Sequence, residues 1–164
     1  MKIIYIYIFI KYINMNINFS LLWMFIGSLI IGIFFNGMNI LAYRYNDLYF
    51  SSKTLVYSAL LMASNMCILE IFMHYSMKKH FYIYYFLFFI LLTIILIFFL
   101  RKQIFINDKD WLKRMISHHS TAITTSKKIS QKTNNKEIKN LAESIILNQE
   151  KEIIFMKKLL NNKI

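Results

Sequence analysis

Proline is missing from this chain, glycine occurs three times and cysteine once. A sequence of 164 residues would ordinarily be one soluble domain, but with 57% hydrophobic residues and so few breakers the composition is that of a membrane protein. Cys67, being alone, excludes an internal disulfide framework and any cysteine-rich zinc site. Negative charge is scarce as well, with 8 acidic against 20 basic residues and a formal net charge of +12. The abundance of Ile, Asn, Lys, Tyr and Phe points to AT-rich codons, so the lysine excess is weak evidence for a nucleic-acid partner, and none is expected. The charge fits membrane lipids as partners, since an anionic headgroup attracts each nearby Lys or Arg by about 1 kcal/mol. There is no nucleophile with a base beside it, no phosphate-binding glycine loop and no pair of carboxylates at useful spacing, so no enzyme is expected.

What is present is long apolar runs. Residues 21–43, "LLWMFIGSLIIGIFFNGMNILAY", hold no charge over 23 positions. At about 1.5 Å per residue that is enough to cross a hydrocarbon core of about 30 Å. A second run, 54–77, is also long enough but carries Glu70 and His74 in its second half. A third, 82–100, is uninterrupted and flanked by Lys78, Lys79, Arg101 and Lys102. Tyr43, Tyr45, Tyr82, Tyr84 and Tyr85 at the edges suit a membrane interface. The first 19 residues have an apolar run too short to span and no small-residue cleavage site; they stay unassigned, either an interfacial segment or an extension upstream of a start at Met15. Residues 20–102 are thus expected to form a membrane domain of three helices.

After Lys102 the apolar positions become periodic, and residues 103–164 hold 12 basic and 6 acidic side chains. Leu112, Met115, His119, Ala122, Ser126 and Ile129 step by three and four, a single helical face. Asn107 or Asp108 can cap that helix, and Asn134 with Glu137 reads as a capping-box-like start for a second. The second stripe runs Ile138, Leu141, Ile145, Gln149, Glu152 or Ile153, Met156 and Leu160. The short loop between them predicts an antiparallel hairpin. About 60 residues bury too little to stand alone, so the hairpin is expected to pair with another copy or dock on the membrane part, a homodimer giving a four-helix bundle. The fold class is all-α.

The candidate site is the pair His118 and His119. Counting outward from Asn134, His118 and His119 lie 16 and 15 residues away and Gln149 lies 15 away, so the polar interruptions of the two stripes coincide. One reading is a hydrogen-bonded polar layer, imidazole to the Gln149 amide. The other is a metal site, in which His118, His119 and the thioethers of Met115 and Met156 suit copper better than zinc, with Gln149 and Glu152 in support. In the second apolar run Met62, Met66, Glu70, Met73 with His74, and Met77 form one stripe that passes close to Cys67. An ionisable group in a membrane faces the protein interior, a partner or a pathway; for Glu70 an interhelical hydrogen bond while protonated and a functional role both stand, with Asn36 and Asn39 as candidate partners. The methionines are equally read as flexible packing. "MASNM" invites comparison with three-span copper permeases, but the third run lacks the glycines needed for close packing in their manner.

At "MISHHSTAITTS" and "LAESIILNQEKEIIFMKKL" the chain resembles the domain of unknown function 305 family, over residues 109–160. The matching residues are Met115, His118, His119, Ala122 and Ile123, then Ala142, Ile145, Ile146, Gln149, Glu152, Ile153 and Met156. It also resembles the subgroup in which three membrane spans precede this domain. The resemblance implies a ferritin-like helical domain, some members being implicated in copper binding outside the cytoplasm. An extracytoplasmic C-terminal domain is therefore expected. Ser117 stands where the family usually has proline, and Thr125 where many members have a methionine. The first removes a bend that would aim the imidazoles, the second a thioether.

Overall fold

The computed structural model describes residues 16–161, all of whose regular elements are helical. The part of the unassigned N-terminal segment up to Met15 lies outside them. Five long helices follow in order: α1 Ile17–Phe34, α2 Lys53–Lys78, α3 Ile83–Lys102, α4 Asp108–Lys132 and α5 Lys136–Asn161. With so little glycine, helix ends fall on other residues. Lys79 and Gln103, just past α2 and α3, take left-handed φ values of 55° and 52°, the position where a helix normally recruits glycine.

The chain divides into two compact units. One holds residues up to Gly32 together with Tyr57–Lys102; the other holds Ile33–Val56 and the residues from Gln103 on. In the first, α1, α2 and α3 are each long and apolar enough to cross a membrane. Its inward faces are built from small residues: Ser20, Ser28 and Gly32 on α1, and Ala59, Ala63 and Cys67 on α2. A Cβ added at Gly32 would stand 2.9 Å from that of Ala59, so the two backbones approach more closely than any larger side chain allows. Small residues are what helices use to pack where no hydrophobic effect drives them together. Ser64 donates to the Phe89 carbonyl at 2.9 Å, fixing α2 to α3. Leu87, Phe88, Leu91, Ile94 and Phe98 of α3 face outward, each more than half exposed. The expected methionine stripe is not the buried one: Met62 and Met66 are half-buried and Met73 is exposed, because the small residues, Glu70, Ile71 and His74 take the inner face.

The apolar run expected over 21–43 begins earlier and stops earlier as a helix. α1 starts at Ile17 and ends at Phe34, after which Asn36 turns the chain and caps a single helical turn, Gly37–Ile40. Residues 33–56 then belong with the C-terminal hairpin rather than with the apolar helices. Hydrogen bonds explain why. Thr121 donates to the Met38 carbonyl at 3.1 Å, Ser117 to the Asp47 carbonyl at 2.7 Å, and Ser52 to the Asp110 carbonyl at 3.1 Å. Ser120 donates to the Asp47 carboxylate at 2.7 Å while its oxygen accepts from the Tyr43 amide at 2.8 Å. The other Asp47 oxygen meets Lys157 of α5 at 2.5 Å, and Asp47 is 1% exposed. Ser117, the departure read as a lost bend, is instead a hydroxyl that ties this segment to α4, a bond that proline could not make.

The hairpin core is Leu112, Ile116, Ile123, Ile153 and Met156, with Tyr49 from the wrapping segment packed against it. Asn107 caps α4 as expected, accepting from the Asp110 amide at 2.9 Å. On α5 the cap is Asn135, not Asn134; its side chain accepts from the Glu137 and Ile138 amides at 2.8 and 3.2 Å. Toward the interhelical turn Ile129, Ile138 and Leu141 are exposed, so the core is concentrated in the half of the hairpin that the 33–56 segment covers.

Candidate functional site

Helical spacing puts His119 at the seam between α4 and α5 and turns His118 about 100° away from it. The structure agrees. His119 is partly buried and both its ring nitrogens face acceptors: Nδ1 lies 2.8 Å from the Met115 carbonyl oxygen and Nε2 lies 2.7 Å from Oε2 of Glu152. Both ring nitrogens are thus engaged by oxygen atoms of the hairpin itself. His118 is exposed on the outer side of α4, its ring edge-on to that of His119 at 6.0 Å between centroids. The partner of His119 is thus Glu152, one turn beyond the expected Gln149.

The four residues read as copper ligands do not converge. Met156 lies in the hairpin core beside Ile153, 6% exposed, and Met115 packs against the same core, whereas His118 points outward. Among the described residues no group of three or more His, Cys, Asp or Glu side chains is placed to hold a metal ion. Within one chain the exposed His118 therefore stands apart from the buried thioether of Met156.

Around the two histidines lies a second feature, which periodicity alone did not single out. Trp111, Met115, His118, Ala122, Thr125 and Ile129 recur at alternating steps of four and three along α4, and Leu141, Ile145, Asn148, Glu152, Phe155 and Leu159 do the same along α5. By helical geometry both rows fall on the side of the hairpin away from the 33–56 segment, flanking the His119–Glu152 bond. Their large members are open: Trp111 is 49% exposed, Leu141 and Phe155 62% each. The expected α4 stripe mixed two faces. Leu112 and Ser126 belong to the covered face, Ala122 and Ile129 to the open row, and His119 with the half-buried Met115 to the seam between them.

The candidates in the second apolar helix form a tighter group. Glu70 and His74 are both fully buried on one face of α2, with His74 Nε2 3.7 Å from Glu70 Oε1. The Ser20 hydroxyl of α1 donates to the same carboxylate oxygen. Asn36 and Asn39, expected to partner Glu70, are used locally: Asn36 accepts from the Asn39 amide and Asn39 donates to the Ile33 carbonyl at 2.6 Å. Ser20 stands one position ahead of the expected 21–43 run, inside the expected membrane domain, and nothing in the span pattern pointed to it as a partner of Glu70.

Residues 103–160 match the model of a protein family described as a domain of unknown function (DUF305). A similar curated relative is an uncharacterised protein of Acanthamoeba polyphaga mimivirus, 47% identical over 64 residues. That stretch is 39% of this chain and 42% of the relative, so less than half of the relative's length is covered. No solved structure matches.

Proposed function

We propose, for a chain whose residues 103–160 are a domain of the DUF305 family, that it is an integral membrane protein whose three apolar helices tether a homo-oligomerising helical module. The observation that carries this reading is the open pair of heptad-spaced rows on α4 and α5, with Trp111, Leu141 and Phe155 left in water by a single copy. A contiguous apolar face of this kind on a soluble domain marks an interaction site. Its spacing is that of helices packing against helices, and a second copy of the same hairpin closes a four-helix bundle. Anchoring in one membrane raises the local concentration of copies and lowers the entropic cost of pairing. The outward apolar surface of α3 supports the membrane assignment. An extracytoplasmic C-terminal domain and a three-span subgroup within the family are part of the proposal.

Copper, implied by the family resemblance, enters this reading as a ligand shared between copies. His118 stands exposed in the open row, so pairing would bring a second imidazole to the same seam.

The test is chemical cross-linking and single-molecule photobleaching of the full chain in nanodiscs and liposomes, comparing the parent with Phe155→Asp and Ala122→Glu. Parent dimers that both variants dissolve support the reading. A monomeric parent, or dimers indifferent to both substitutions, refutes it. Copper titration of the same samples, with His118→Ala alongside, separates the two parts: binding that follows the dimer and is lost in His118→Ala supports a shared site, and binding by the monomeric variants refutes it.

A further inference from the structure

The apolar unit holds two titratable groups that the assembly reading does not use. Glu70 and His74 are one helical turn apart on the inner face of α2, 3.7 Å between Oε1 and Nε2, and neither is exposed at all. An ionised carboxylate alone in such surroundings is costly. A carboxyl and an imidazole together are different. One proton shared between them leaves the pair neutral overall, whichever partner holds it, and Ser20 donates to the carboxylate oxygen that faces His74.

The next groups outward continue the row. The Tyr82 ring lies edge-on to His74, with centroids 6.2 Å apart, and edge-on to His80, at 4.7 Å. His80 is exposed in the turn between α2 and α3, beside Lys78 and Lys79. Thus a buried carboxyl, a buried imidazole, a half-buried phenol and an exposed imidazole follow one another from the inside of the unit to its end. Aromatic packing alone would not call for proton-carrying groups at all four positions. The other titratable groups that face the pair are Cys67 and Lys78 on α2; Tyr85 of α3 lies by Tyr82, with ring centroids 6.3 Å apart, and donates to Asn18 of α1 at 2.5 Å.

We propose that Glu70 and His74 form a proton-exchange site within the apolar helices, reached from the α2–α3 turn through Tyr82 and His80. In this step a proton leaves an acid in the aqueous phase for the His80 imidazole, passes the Tyr82 hydroxyl, and ends on the Glu70–His74 pair; the same path run backward releases it. No electron moves and no bond other than to hydrogen changes.

The experiment is time-resolved infrared spectroscopy of the full chain in liposomes after a jump in external pH, following the carboxylic acid band. The band is assigned with Glu70→Gln, and rates are compared for His80→Ala and Tyr82→Phe. These two lie at the turn and leave the buried pair intact, so they keep the test decisive where Glu70→Gln does not fold. A band that titrates in the parent, vanishes in Glu70→Gln, and changes about tenfold more slowly in both route variants is the expected result. A carboxyl band that ignores external pH makes the pair a fixed interhelical clamp and overturns the proposal. So does a titrating band whose rate is the same in both route variants.

Discussion

The carboxylate of Asp47 is the most informative single group to remove. It is 1% exposed, its two oxygens meet Lys157 at 2.5 Å and the Ser120 hydroxyl at 2.7 Å, and its backbone carbonyl accepts from Ser117. Asp47→Ala deletes the first two contacts and spares the third. Removing one partner of a buried ion pair costs about 3–5 kcal/mol, because the other charge is left behind. The Lys157 side chain is 29% exposed, so water recovers part of that loss, and the lower end, about 3 kcal/mol, is the expectation here. At about 1.36 kcal/mol per tenfold this raises the local opening equilibrium roughly a hundredfold. The assay is amide hydrogen exchange of the full chain in nanodiscs, read over residues 41–52, where the Tyr43 amide donates to Ser120. Exchange there should rise about a hundredfold, with no matching change over the apolar helices. Lys157→Met should be at least as harmful, since it strands a buried carboxylate, and the double variant should be milder than Lys157→Met alone. Exchange over 41–52 unchanged in Asp47→Ala would refute the claim that this ion pair holds the segment to the hairpin.

Three further outcomes follow from local geometry. Gly32→Ala should lower the melting temperature of the protein in detergent, at a cost of about 1–3 kcal/mol, because its Cβ would stand 2.9 Å from the Ala59 Cβ; Ala59→Gly in the same chain should restore it. Gln103→Gly should raise the same melting temperature, since a non-glycine residue at φ 52° gives up about 1 kcal/mol; no gain would mean the left-handed turn is not under strain. In the monomeric Phe155→Asp background, Glu152→Gln should change hairpin stability by less than about 1 kcal/mol in denaturant titrations, because the carboxylate beside His119 is 54% exposed in a single copy; a loss of several kcal/mol there would refute the exposed placement of this pair.

The placement of His119 shows how near a count along the sequence comes and where it stops. Counting equal distances from the turn selects Gln149, and the observed partner is Glu152. Helical side chains lean toward the N-terminus of their own helix. On α4 that is away from the turn and on α5 toward it, so His119 reaches outward and meets a residue three positions farther along. The α5 cap was displaced by one for a simpler reason: Asn134 and Asn135 are adjacent, and only backbone geometry chooses between them. Glu70 and His74 were recognisable as unusual because ionisable groups stand out in an apolar run, but Ser20 lies 50 residues away beside another apolar run, where a lone serine carries no local signal.

The sequence by itself determined the helical class, the three apolar helices and the hairpin, because each follows from hydrophobic length or from a 3.6-residue period, and both are local. The open rows on α4 and α5 were also written in that spacing, though only burial told the covered face from the open one. Asp47, one of two acidic residues ahead of residue 103, was visible in composition and had no local meaning. Tertiary structure alone decided that residues 33–56 wrap the hairpin, that Ser117 and Ser120 receive them, and that Met156 lies in the hairpin core. Those outcomes depend on hydrogen bonds and contacts between positions about 70 to 110 apart, as in Ser117–Asp47 and Lys157–Asp47. No periodicity records such pairings, because their partners are set by how the helices pack and not by the spacing of either segment.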